Sequence, residues 1–296
     1  MIILIGGPTA SGKSEVALEL CKLLNGEIIN GDAFQIYRHM DIGTAKPSLK
    51  EREEVKHHLF DIRNPDETYN IKDYQKDARN VIDDILKRGK LPIIVGGTGL
   101  YQLSLLYDYD FKDEDEINLD DLEQLNNHEL HQYLKSIDPK SSGKIHENNR
   151  KRVLRAIAIY RSTGETKSSL IDKQSHSLIY DDVIMVGIDC NRDVLYERIN
   201  SRVDGMIENG LFQEVEALIK KYGTNQRAFD AIGYKESISY LTKQCSKEEA
   251  ILEIKKHTRN YAKRQMTFFK NKFEMNWFPS KEDIKSYILE RIEHGK

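Results

Sequence analysis

The most constraining feature of this chain is Gly7-Pro8-Thr9-Ala10-Ser11-Gly12-Lys13-Ser14, which satisfies the pattern G-x-x-x-x-G-K-[ST] in full. The apolar run Met1 to Ile5 precedes it. Ser14 to Asn25 follows, with Val16, Leu20, Leu23 and Leu24 spaced for the inward face of a helix. A strand that delivers a glycine-rich turn into a helix leaves few folds open. The turn's N–H groups and the positive end of the helix converge on a phosphate, and the strand is buried on both faces, as in a parallel sheet. On this reading Gly7 to Ser14 form a diphosphate- or nucleotide-binding loop, with Lys13 as a mobile charge and Ser14 as a ligand to Mg²⁺.

The rest of the chain extends the same architecture. Glu27 to Asn30 and Leu91 to Val95 read as short buried strands, and Asn70 to Arg88 as a helix capped by Asn70 and stopped at Gly89. Residues 108–180 are polar, lack a buried-strand signature and are helical in pattern over Asp120 to Ser136 and Asn148 to Thr163. Val183 to Ile188 resumes the sheet. Helical patterns then cover Arg192 to Asn209, Leu211 to Tyr222, Tyr234 to Lys243 and Ser246 to Lys272. The fold expected is α/β: a P-loop NTPase-like parallel sheet core (1–107 and 181–296) with a helical insertion domain (108–180).

Composition excludes several classes. No apolar run approaches the ~20 residues of a membrane span, and the start reads as a strand without a basic export region. Cys21, Cys190 and Cys245 are odd in number and far apart, which excludes a disulfide framework and a CxxC zinc site and points to the cytoplasm. Nothing suggests a coiled coil or an obligate interface, so a monomer is expected. Net charge is −3, yet the distribution is uneven. Lys255 to Lys272 holds seven basic residues and no acid, and Asn148 to Arg161 holds five and no acid; Asp108 to Glu123 holds nine acids against Lys112. The two basic runs fit either polyanion contacts or solvated helix faces.

The loop motif names a phosphate group but no reaction. An enzyme that transfers a γ-phosphoryl group ordinarily places an acid at the end of a buried strand, whereas Leu91 to Val95 ends in Gly96-Gly97. Asp189 ends the later strand and reads as a helix cap before Arg192. The acid best placed for chemistry is Asp32, at the carboxyl end of the second strand, where crevices open in parallel sheets. Gln35, Tyr37 and Arg38 follow it.

Together with the loop, Gly-Asp-Ala-Phe-Gln-Ile-Tyr-Arg (31–38), Met-Asp-Ile-Gly-Thr-Ala-Lys-Pro (40–47) and Gly-Gly-Thr-Gly-Leu-Tyr (96–101) resemble the tRNA dimethylallyltransferases, also called tRNA isopentenyltransferases. Arg-Val-Leu-Arg-Ala (152–156), Arg202 with the following Asp-Gly-Met and Glu-Asn-Gly-Leu, Ala-Ile-Gly-Tyr-Lys (231–235) and Thr-Arg-Asn-Tyr-Ala-Lys-Arg-Gln (258–265) continue the likeness in the family's order. The resemblance implies transfer of a dimethylallyl group from dimethylallyl diphosphate to N6 of adenosine 37, beside the tRNA anticodon. The loop would then hold a leaving diphosphate, with Lys13, Arg202 and Ser14-bound Mg²⁺ stabilising its charge. Asp32 would accept the N6 proton, and Thr98 would stand near the reacting centre or cap the next helix.

The resemblance also implies tRNA contacts at Asp32, Ala33, Phe34, Gln35 and Thr98, along Lys151, Arg152, Val153, Leu154 and Arg155 of the insertion, and at Gly233, Tyr234 and Lys235. Gln35 would read an extruded base, and the insertion would hold the anticodon stem-loop. Three departures stand out: Ala33 replaces the family's usual serine, no arginine lies between Arg88 and Arg150, where acidic residues 113–116 stand instead, and nothing in this sequence matches the C-terminal zinc finger that some relatives add. Two other readings of the loop motif remain at this point, a P-loop kinase of a small metabolite or nucleotide and a non-catalytic RNA-binding ATPase or chaperone.

Overall fold

The computed structural model describes residues 1–109, 118–174 and 177–294. Six strands, β1 (Ile2–Gly6), β2 (Gly26–Asn30), β3 (His57–His58), β4 (Leu91–Val95), β5 (Val183–Ile188) and β6 (Asn276–Phe278), form one parallel sheet in the order β3-β2-β4-β1-β5-β6. The central strand β1 is buried throughout, with Ile3 opposite Ile93 on one side and Ile184 on the other. Continuous burial explains its unbroken apolar sequence.

Helices α1 (Lys13–Leu24), α2 (Leu49–Glu54), α3 (Ile71–Lys87) and α4 (Gly99–Leu106) alternate with the first strands. The inner stripe of α1 is Val16, Ala17, Leu20 and Cys21, while Leu23 is 63% exposed. The small Ala17 and Cys21 draw the helix onto the sheet and shift the stripe. A Cβ on Gly26 would lie 3.3 Å from Cys21 Cα, so Leu23 is left at the edge of the last turn rather than inward. Asn70 caps α3 as its sequence suggests, accepting from the N–H groups of Lys72 and Asp73. Helix α4 is buried almost throughout and stacks Tyr101 on Tyr74 of α3 at 4.2 Å.

The chain forms two compact units, Met1–Leu106 with Tyr180–Lys296, and Tyr107–Ile179. The second contains α5 (Asp120–Glu123), α6 (Asn127–Ile137), α7 (Pro139–Ser142), α8 (Arg150–Thr163) and α9 (Lys167–Asp172) around Leu130, Leu134, Val153 and Ile157. The single helix expected over Asp120 to Ser136 is two, because Asn126 accepts from Glu129 N and starts a fresh capping box. Residues 110–117, which include the acids at 113–116, lie outside the described residues.

The first unit ends with α10 (Arg192–Glu208), α11 (Leu211–Tyr222), α12 (Tyr234–Leu241), α13 (Lys247–Lys272) and α14 (Lys281–His294). Asn191, rather than Asp189, caps α10; Asp189 instead accepts from Lys270 Nζ at 2.7 Å. Strands β3 and β6 were not expected: each is two or three residues long and polar or aromatic, which leaves no periodicity to read. Among the described residues no helix is long and apolar enough to cross a membrane.

One buried acid ties the edge of the sheet. Glu27, 1% exposed, accepts from Arg88 Nη1 at 2.5 Å, Arg88 Nη2 at 2.7 Å and Lys90 Nζ at 2.8 Å, and pairs with His58 Nε2 at 2.7 Å. The Arg88 hydrogen bonds, against a desolvation cost, hold its carboxyl well below the usual carboxylate range. A depressed folded-state value stabilises the protein above the unfolded pKa of about 4.3 and loses that stabilisation as pH falls. Glu27→Gln should therefore cost about 2 kcal/mol near neutral pH, less than the roughly 3–5 kcal/mol of a fully enclosed pair, since Arg88 and Lys90 regain water. Urea denaturation of both proteins should show the gap closing as pH drops below about 4.

Candidate active site

Parallel pairing brings the carboxyl ends of β1, β2 and β4 to one edge, and glycines let them close on each other. A Cβ on Gly96 would lie 2.1 Å from the carbonyl carbon of Gly31. Gly31 N donates to Val95 O at 2.8 Å, and Thr98 N donates to Gly31 O at 3.0 Å. This contact is why β4 ends in Gly-Gly: a carboxylate at that position has no room.

Asp32 leaves β2 at this edge. Asn30, fully buried, accepts from Asp32 N at 2.9 Å and donates to Asp32 O at 3.1 Å and Leu59 O at 3.0 Å. The Asp32 carboxylate accepts from Phe34 N at 2.9 Å. Burial pushes its pKa up, opposed by the Phe34 N–H, by Lys13, by the Gln35 N–H and by Arg202. Thr98 Oγ1 accepts from Ala33 N at 3.0 Å, so the hydroxyl oxygen bonds across the crevice to the Asp32 turn and not to its own helix. Only the backbone of Ala33 is used here.

The loop Gly7 to Ser14 faces the same edge. Gly7 and Gly12 adopt φ of 135° and 93°, and Ala10 is left-handed at 62°, which curls the chain over the start of α1. No side chain caps that helix. Ser11 Oγ is buried with no partner, an orphaned donor inside the curl. Lys13 is buried and donates to Pro8 O at 2.8 Å; burial, then Arg202, lowers its pKa to about 8 against the pull of Asp32. Burial likewise lowers Arg202, with Asp32 opposing. Ser14 is exposed at the mouth.

Two cavities meet here. One of about 310 Å³ is lined by Lys13, Ser14, Gln35 and Gln265; another of about 250 Å³ is lined by Phe34, Val203, Met206 and Ile232. Thr9, Asp32, Thr44, Arg202 and Tyr261 border both. A polar cavity beside the Gly7 to Ser14 loop and a more apolar chamber therefore share one carboxylate and one guanidinium.

A family model described as IPP transferase matches residues 35–272. Proteins named tRNA dimethylallyltransferase from Staphylococcus haemolyticus and Bacillus cytotoxicus are 46% and 44% identical, over 98% and 100% of this chain and 90% and 95% of theirs. The chain belongs to the tRNA dimethylallyltransferase family. The crystal structure of a tRNA isopentenylpyrophosphate transferase from Staphylococcus epidermidis is similar at TM-score 0.74 and 45% identity, covering 99% of each chain. A eukaryotic dimethylallyltransferase described as acting on tRNA gives 0.79 at 32% identity, covering 90% of this chain and 69% of that one.

The Asp-Ile-Gly-Thr-Ala-Lys segment, by which the family was first legible, proves to be scaffolding for this site. Glu214 on α11 accepts from Asp41 N, Ile42 N and Gly43 N at 3.0, 2.8 and 3.2 Å, and from Tyr234 OH at 2.6 Å. Lys46, its side chain fully buried, donates to Tyr37 O, Asp41 and Asp61, each at 2.7 Å. Gln35 Nε2 donates to Thr44 O at 3.0 Å and to Ala45 O at 3.3 Å.

These contacts correct part of the expected tRNA surface. Tyr234 is fully buried against Gly43, where a Cβ would lie 2.4 Å from its ring, and Gly233 N donates to Glu236. Both shape the loop from behind and present no side chain to RNA, while Lys235 is exposed. In the second unit the Val153 side chain is fully buried and so is not available to RNA, and Leu154 is half-buried on the same core; Lys151, Arg152 and Arg155 are exposed. Lys167 is half-buried near them: burial lowers its pKa, and Arg152 and Arg155 lower it further. Arg150 and Arg161 are structural, binding Leu125 O at 2.6 Å and Asp121 at 2.8 Å.

The basic run of α13 divides in the same way. Lys255, Arg259 and Lys270 bind Asp204, Asn200 and Asp189. Lys263, Arg264 and Lys272 line an outer groove with Phe268. Removing the Glu214 carboxylate should free four donors at once. Glu214→Ala is expected to destabilise the protein by about 2–4 kcal/mol and to accelerate amide exchange at Ile42 and Gly43. Tyr234→Phe, which removes one donor, should cost about 1 kcal/mol and leave that exchange slow.

Proposed function

We propose that the chain transfers the dimethylallyl group of dimethylallyl diphosphate to N6 of adenosine 37 in tRNA, with the residues where the two cavities meet performing the chemistry. The observation that carries this is the shared border at Asp32 and Arg202 between a phosphate cradle and an apolar chamber, with glycines where a phosphoryl-transfer enzyme keeps an acid. The N6 lone pair attacks C1 of the dimethylallyl group, the C1–O bond breaks, and its electron pair leaves on diphosphate. The Asp32 carboxylate takes the proton shed by N6. Its raised pKa makes it a stronger base than an ordinary aspartate, so turnover should climb with pH through a midpoint above the normal carboxylate range.

The Gly7 to Ser14 backbone, Ser11 Oγ, Lys13 and Arg202 stabilise the negative charge gathering on the leaving group. A bound diphosphate offsets the burial and the Arg202 repulsion that lower Lys13, and so keeps its ammonium charged. Mg²⁺ fits the residues present. Ser14 lies exposed at the mouth of the cavity that Asp32 also lines, which suits an ion held mostly by phosphate oxygens and water. When bound it neutralises diphosphate.

The Lys151, Arg152, Arg155 and Lys167 face supplies phosphate contacts to the anticodon stem-loop, and the exposed Lys235 adds one in the first unit. The enzyme is proposed to act as a monomer in the cytoplasm; its cysteines are free.

Dimethylallyl diphosphate, Mg²⁺ and tRNA should suffice for modification without ATP. Asp32→Asn should lower turnover by about 10²–10⁴-fold with little change in affinity for either substrate. Robust γ-phosphoryl transfer to a small acceptor, with no prenylated adenosine, would overturn the reading. Neutralising Arg152 and Arg155 together should weaken tRNA binding and reduce its salt slope by about two, with binding of the isoprenoid diphosphate unchanged.

A further inference from the structure

Gln265 on α13 is 4% exposed, and its amide joins two loops that the sequence places far apart. Oε1 accepts from Thr9 N at 2.8 Å, and Nε2 donates to Gly97 O at 2.8 Å. A backbone N–H can only donate and a carbonyl only accept, so the orientation of this amide is settled by its partners. Tyr261, one turn earlier, adds a second donor to Gly97 O at 3.3 Å. The fit leaves no slack, since a Cβ on Gly97 would lie 2.2 Å from Nε2.

The helix that carries the amide is itself pinned. Phe269 lies buried against Gly6, and Arg259 and Lys270 anchor to Asn200 and Asp189. We propose that Gln265 is a positioning residue for prenyl transfer: it sets the spacing between the loop that holds the leaving diphosphate and the Thr98–Asp32 edge where the nucleophile loses its proton. The proposal rests on the prenyltransferase reading. A displacement of about 1 Å between reacting groups costs about 10²-fold in rate, and this bridge ties those two loops directly through hydrogen bonds.

Two variants test it. Gln265→Leu removes both arms. Gln265→Glu is conditional: the ionised carboxylate still accepts from Thr9 N but opposes the Gly97 carbonyl. The protonated acid reproduces the amide, its C=O accepting and its O–H donating. Burial beside Asp32 raises the pKa of such a group, while Lys13 and Arg202 lower it; Asp32, Lys13, Arg202, His57 and Tyr261 line the same cavity in the wild type, so the ratio of variant to wild type isolates the new carboxyl.

Single-turnover transfer per folded molecule is measured from about pH 5.5 to about pH 8.5, with tRNA and inorganic diphosphate affinities on the same samples. Gln265→Leu should slow transfer about 100-fold with tRNA affinity within about twofold. Gln265→Glu should be as slow at the alkaline end and recover about tenfold relative to wild type at the acid end. A leucine variant within about threefold of wild type, or a glutamate ratio flat in pH, would overturn the proposal. Failure of the wild type to prenylate would instead sink the reaction it rests on. Inorganic diphosphate then decides the bridge: the leucine variant should bind it about tenfold more weakly, and equal affinity refutes the bridge.

Discussion

The site depends on the approach of two backbones at Gly31 and Gly96. A side chain on Gly96 would hold the ends of β2 and β4 apart, and one on Gly31 would press on Gln102; every functional group around them is referenced to that contact. Thr98 N reaches Gly31 O because the gap is closed, Thr98 Oγ1 then meets Ala33 N, and Asn30 locks the Asp32 turn from below. Asp32 thus gains its burial, and with it a raised pKa, from a steric condition at the adjacent Gly31 rather than from an acidic neighbour.

How much of this was legible in the sequence varies with the kind of signal. The phosphate loop, the four long strands and Asn70 as a cap were readable because glycine pattern, apolar runs and capping residues act locally. The edge strands His57–His58 and Asn276–Phe278 were not, since they are defined by a neighbour and carry no pattern of their own. Likewise Asp32 and Thr98 were found from strand ends and motif likeness, whereas Gln265 was not. A glutamine in a basic helix shows nothing of the two loops it will meet, although its fourfold spacing from Tyr261 puts both on one face. The break at Asn126 was available in the Asn-x-x-Glu capping signature and was masked by the polar periodicity around it.

Charge was the least transparent property. The basic runs invited a choice between polyanion contact and solvated surface, and the structure adds a third use, since part of each run pairs within the protein. Arg150 closes the end of a short helix through three carbonyls, while Lys151, Arg152 and Arg155 on the same helix face outward. The buried Lys46, in a motif that carries the family likeness, serves the backbone and two aspartates. Arginine and lysine counts alone therefore overstate a polyanion surface, because part of the charge is consumed in holding loops.

The second unit enters and leaves the chain at neighbouring points. Tyr107 bridges Leu178 in antiparallel fashion, and Asp108 N donates to Ser177 O at 2.9 Å. Strands β1 and β5 must find each other across that insertion, which would seem a long search for a parallel pair. Once its ends are clasped, the unit counts as a short turn, and the loop to be closed shortens by about seventy residues. Closure entropy grows only logarithmically, so even the full length would add only about 0.4 kcal/mol. The sheet can therefore carry an appended helical unit at almost no entropic disadvantage, and that unit is free to change in length while β1 and β5 stay paired.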